Sequence, residues 1–76
     1  MPNLDDEKFL QLLGTRLREA REARKLTQTQ LGDACELHRT FIGSVERGER
    51  NVSILNLRRM AKKLRVRLTD ILDIVA

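Results

Sequence analysis

Between Gln28 and Arg47, Leu31, Cys35, Leu37, Ile42 and Val45 fall at the positions that two short helices must turn inward to share one core, and Gly32 stands where the pair would come closest. Thr27 and Gln30 form a capping box at the front of the first run, in which the hydroxyl accepts from an early backbone N–H and the amide reaches back to the cap. This predicts a helix over 28–35, a break at Glu36 and Leu37, and a second helix over 38–47 that buries Phe41, Ile42 and Val45 and stops at Gly48. Ahead of the pair, Phe9, Leu12, Leu13, Leu17 and Ala20 share a face in steps of three and four, which predicts a helix over 6–24. Behind it, Ser53 caps a run with Ile54, Leu57, Met60, Ala61 and Leu64 on one face, and Thr69 is the expected cap of a last segment, 70–75. There is no strand alternation, hairpin dipeptide or internal repeat, and the single Pro is at position 2, so the reading is all-α with five short helices.

A chain of 76 residues has room for one core, and residues 1–76 are read as a single domain. No apolar run approaches the roughly 20 residues of a membrane span. The opening MPNLDDEKF is acidic and lacks the basic start and apolar stretch of a secretory signal. One Cys cannot make an internal disulfide, and one Cys with one His cannot make a structural zinc site. The expectation is a cytoplasmic protein without a metal or other cofactor, with oligomerisation left as a route to stability. The net charge is +4, but it is concentrated: residues 8–69 hold all 15 basic and only six acidic residues, a net +9. That excess favours a polyanionic partner.

Two short helices joined by a tight break, the second amphipathic with a polar outer face, have the geometry of a helix-turn-helix. The outward residues of the second helix are then Arg39, Thr40, Gly43, Ser44 and Arg47, types that hydrogen-bond base edges or phosphates. No paired carboxylates, phosphate-binding loop or nucleophile-base arrangement competes, so an enzyme is not expected. Cys35, inward and without a neighbouring base, reads as a small core residue. His38 is as well suited to capping as to touching phosphate, and the basic run from Arg58 to Arg67 reads mainly as a solvated face.

The segment LTQTQLGDACELHRTFIGSVERGERNVSILNLRRMAKKL resembles the Xre-type helix-turn-helix of phage repressors and small bacterial regulators, over roughly Leu13 to Leu72. Within it, HRTFIGSVERGERNVS is most similar to the controller proteins of restriction-modification systems. The resemblance implies a five-helix lambda-repressor-like domain that binds a double-stranded DNA operator. Gln28 would hold a phosphate, Arg39, Thr40 and Ser44 would read the major groove, and Arg47, Arg50 and Asn51 would clamp the backbone. Arg21 and Glu46 match a family ion pair between the first and third helices. Glu36 stands where the family usually has Gly in the turn, at a cost of roughly 1 kcal/mol if left-handed, and Arg65 stands where Gly commonly ends the fourth helix. Leu68, Ile71, Leu72, Ile74 and Val75 exceed what a short terminal helix can bury, so the segment 69–76 is expected to be the seam of a two-fold homodimer on an inverted-repeat site. RNA polymerase is carried as a further candidate partner. The alternatives are a phage-type repressor, or an antitoxin-like DNA-binding protein that also covers a toxin.

Overall fold

The structure, a computed structural model, describes residues 4–74. Five helices occupy most of that span: α1 Leu4–Ala23, α2 Gln28–Cys35, α3 Arg39–Glu46, α4 Ile54–Leu64 and α5 Leu68–Leu72. α1 carries Asp5, Asp6 and Glu7 in its first turn, where the helix dipole favours negative charge. The expected box at α2 is present, with Gln30 N–H donating to Thr27 Oγ1 (3.0 Å) and Thr27 N–H to Gln30 Oε1 (2.8 Å). Ser53 likewise accepts from the Asn56 N–H at 3.1 Å to start α4.

α5 departs from the sequence reading. Thr69 lies inside the helix, and the cap is Arg67, whose N–H donates to the Asp70 carboxylate (3.2 Å) while its guanidinium pairs with the same group at 3.1 Å. A carboxylate three residues on, held by charge as well as by the N–H, outcompetes the Thr69 hydroxyl and starts the helix two residues earlier than expected.

Every helix contributes to one core: Leu13 and Leu17, then Leu31 and Cys35, then Ile42 and Val45, then Leu57, Met60, Ala61 and Leu64, and finally Ile71. On α1 the row that turns inward is Leu10, Leu13, Leu17 and Ala20, so Phe9, about 100° away around the helix from Leu10, stays exposed. Ile54 also fails to join its expected face, because it sits in the opening turn of α4, ahead of the first buried residue, Leu57.

Two glycines set the helix spacing. A Cβ on Gly32 would lie 2.5 Å from the Leu37 carbonyl oxygen, which is why the chain can fold back so tightly after α2. Gly14, which the sequence reading passed over, lies against the Val45 and Glu46 carbonyls, so that α1 seats directly on the backbone at the end of α3.

The left-handed turn expected at Glu36 is there (φ 58°); Arg65, where Gly commonly ends the fourth helix and the cap was open to strain or to a different shape, takes the same conformation (φ 58°), and so does Lys25 (φ 57°). All three end a helix alike: the following N–H returns to a carbonyl five residues back, Leu26 to Arg21 (3.2 Å), Leu37 to Gly32 (2.8 Å) and Val66 to Ala61 (3.1 Å). Each stores roughly 1 kcal/mol of strain that Gly would avoid. Arg16 ties the far ends of the chain together, its guanidinium donating to the Asp73 carbonyl at 2.7 Å.

Candidate nucleic-acid interface

α2 and α3 are joined by Glu36, Leu37 and His38 and held at a fixed angle by a buried ion pair beneath them. Arg21 of α1 donates to Glu46 of α3 through Nε (2.6 Å) and Nη2 (3.1 Å), and its Nη1 donates to the Leu26 carbonyl (2.7 Å). The side chains are 11% and 5% exposed, and the hydrogen bonds that Arg21 donates to Glu46 raise the Arg21 pKa above its ordinary value. Glu46 also accepts from Gln28 Nε2 at 3.1 Å. A carboxylate only accepts, so the Gln28 amide nitrogen is the end turned inward, and one N–H of that nitrogen remains for an outside partner.

Over Gly43 the outer surface of α3 is closed by long side chains from two places. A Cβ there would lie 3.1 Å from Arg47 Nη1 and 3.3 Å from Gln28 Oε1, so the absence of a side chain lets Gln28 and Arg47 come together. Gly43 therefore underlies this surface and does not project from it. One turn earlier Arg39 and Thr40 are exposed. His38 caps α3, its Nδ1 accepting from the Thr40 N–H (3.1 Å) and lying 2.7 Å from Thr40 Oγ1.

The loop after α3 is anchored at Gly48 (φ 77°), where a Cβ would meet the Gln11 backbone of α1 at 2.8 Å. Arg47 is exposed and forms a two-bonded pair with Glu49, at 3.0 and 3.2 Å. That hydrogen bond raises the pKa of Arg47 and holds the Glu49 carboxyl below its usual range.

A helix-turn-helix family model matches residues 17–71, which include every residue of this surface just described except Gln11. The chain belongs to the helix-turn-helix family. Its relatives include control protein C.BamHI of Bacillus amyloliquefaciens, 41% identical over 63 residues that make up 82% of this chain and 78% of that one. Control protein C.SmaI of Serratia marcescens is 42% identical, covering 82% of this chain and 74% of its own. The crystal structure of the restriction-modification controller protein C.AhdI from Aeromonas hydrophila superposes with a TM-score of 0.80 at 40% identity, over 82% of this chain and 94% of that one. This is the fold and the family of a helix-turn-helix DNA-binding regulator.

Not every residue expected at the helix-turn-helix surface faces outward. Ser44 is buried: its Oγ donates to the Phe41 carbonyl (2.7 Å) and accepts from Arg50 Nε (3.3 Å). Its position on the inner flank of α3, under Arg50, removes it from the projecting set. Arg50 and Asn51 are exposed in the loop.

The expected seam also divides. Ile71 is 2% exposed and is used up in the core of the chain itself, because α5 is short and lies on α1 and α4. Leu68 and Ile74 are half-buried against that core, Leu72 is 38% exposed, and Val75 lies outside the described residues. The larger apolar exposure lies elsewhere, at Ile54 (57%) and Leu55 (67%) on the first turn of α4. Apolar identity alone carried no signal there, since Ile54 fits the periodicity of the buried face.

Cys35 is fully buried, and burial pushes its thiol up while Lys63 and Arg59 pull the other way, the setting of an unreactive core residue. No helix among the described residues is long and apolar enough to cross a membrane.

Proposed function

We propose that this chain is a controller-type transcription regulator of the cytoplasm that binds an inverted-repeat operator as a homodimer. The observation that carries the reading is the outer side of α3, where Arg39 and Thr40 stand exposed beside Gln28 and Arg47, which meet over Gly43. Arg39 and Thr40 read base edges, Arg39 as a fork of donors suited to guanine O6 and N7, and Thr40 through its hydroxyl and methyl group. Gln28, Arg47, Arg50 and Asn51 fix the register through phosphates. Ser44 acts from beneath. The dimer uses the exposed Leu72 and extends the seam to Ile54 and Leu55, with Leu68 and Ile74 at its margin. Two recognition helices so related enter successive major grooves about 34 Å apart.

Selection of bound fragments from random duplex DNA, followed by sedimentation with and without the selected duplex, tests this reading. An inverted repeat bound by two protomers is expected. A monomer at micromolar concentration under both conditions, or selection of no common sequence, would overturn it.

A further inference from the structure

Arg50 does not hang free. Its Cζ lies 5.6 Å from the centroid of the Phe41 ring, within the reach of a cation–π contact, and its Nε donates to Ser44 Oγ at 3.3 Å. The Ser44 hydroxyl in turn donates to the Phe41 carbonyl at 2.7 Å, so its hydrogen points away from Arg50 and a lone pair points toward it. Ser44 and Phe41 are held by the rigid turn of α3 that carries Ile42 and Val45 into the core. Arg50, in contrast, follows Gly48 and lies in a loop without regular structure. A long side chain on such a loop would otherwise sample many rotamers.

We infer that Ser44 and Phe41 are positioning residues for Arg50, presetting its guanidinium before any duplex arrives. This deepens the reading of Arg50 as a DNA contact and rests on it. With Nε engaged by Ser44, the side-on pair of donors, Nε and Nη2, is closed to an outside acceptor. The end-on pair, Nη1 and Nη2, carries no protein hydrogen bond among the described residues and remains a parallel fork for two acceptor oxygens of one phosphate. The hydroxyl of residue 44 thus selects which edge of the guanidinium meets DNA. The saving is the ordering of one long side chain, about 2- to 12-fold in affinity for a typical cost of ~0.5–1.5 kcal/mol.

The test is a double-mutant cycle read by fluorescence anisotropy on a random-sequence duplex of about 30 base pairs, together with the Arg50 Nε–H resonance of the free protein. Ser44→Ala is expected to weaken binding about 2- to 12-fold with little change in melting temperature, and to add nothing in an Arg50→Ala background. Phe41→Leu, which removes the ring and keeps the hydroxyl, should show the same dependence on Arg50 and stands in if Ser44→Ala does not fold. In the free wild-type protein the Nε–H should be shifted and slow to exchange, and Ser44→Ala should abolish both properties. Equal losses with and without Arg50 would overturn the inference, as would a free-protein Nε–H resonance indifferent to residue 44. Failure of the DNA reading itself would look different: the wild-type protein would not bind the duplex, while the Nε–H signature would persist.

Discussion

Replacing Glu46 with Ala should be the most damaging single change away from the apolar core. The carboxylate accepts three hydrogen bonds, two from Arg21 and one from Gln28, with side-chain exposures of 11% for Arg21 and 5% for itself. Without it, the Arg21 guanidinium keeps one bond, to the Leu26 carbonyl, and otherwise remains a desolvated charge with no partner. Breaking such a pair from one side costs about 3–5 kcal/mol. At ~0.05–0.15 kcal/mol per residue a chain of this length holds only about 4–11 kcal/mol in all, so the variant should sit near the edge of folding. A shift of about 4–8 °C per kcal/mol puts the fall in Tm at about 12 °C or more. Urea and thermal unfolding followed by circular dichroism at one fixed protein concentration measure it. The pair Arg21→Met with Glu46→Leu is the control, because removing both charges together removes the orphan, and it should recover most of the loss. A Glu46→Ala cost below about 1 kcal/mol, or a double variant as poor as the sum of the singles, would refute this account of the joint between α1 and α3.

Glu36→Gly should stabilise the fold by about 0.5 kcal/mol in urea unfolding, the relief of the left-handed strain less the greater freedom of Gly in the unfolded chain, with sequence preference unchanged. Gly14→Ala should destabilise by about 1–3 kcal/mol, because the Val45 and Glu46 carbonyls that a Cβ would strike are backbone and can yield only by unseating α1. Glu49→Gln should tighten binding to any duplex and steepen the salt dependence by up to about one counterion, since it frees Arg47 from its pair. For the wild type, Glu49 has a lowered pKa in the free protein that rises when phosphate displaces it from Arg47, so binding takes up a proton; affinity should increase as pH falls toward the carboxylate range, and a flat profile in titrations would count against the pair.

The helices were legible where local chemistry decides them. The Thr27–Gln30 box, the Ser53 cap and the apolar steps of α1 and α4 each require only neighbours within a turn or two, and Glu36 was readable as left-handed because a family pattern puts Gly there, the same signal that marked Arg65 as an uncommon cap. Lys25 was not, since its turn depends only on returning the chain to the Arg21 carbonyl and has no marker in residue type. The start of α5 was misplaced because two caps competed, and a hydroxyl and a charged carboxylate look alike until their partners are known.

At the candidate site, residue type marked the polar and basic side chains but not which way each would face. Ser44 is polar and small on an amphipathic helix, yet it lies buried on the inner flank of α3, bonded to the Phe41 carbonyl and covered by Arg50 from the loop. Ile71 and Ile54 exchange roles for a similar reason: both fit an apolar face by periodicity, yet the core takes Ile71 and leaves Ile54 and Leu55 outside. Contacts across the loop, such as Arg47 with Glu49, are short in sequence and could have been suspected from two opposite charges two residues apart.

The central claim, that the exposed start of α3 reads base sequence, is tested most directly by one ratio: the affinity for the selected duplex over that for random duplex, wild type against Arg39→Ala, at a single salt concentration. Loss of one bidentate contact to a base, worth ~1–3 kcal/mol in each half-site, predicts a fall in that ratio of about 5-fold or more with affinity for random duplex little changed. A ratio that stays constant while both affinities fall together would place Arg39 on the phosphates and contradict the account.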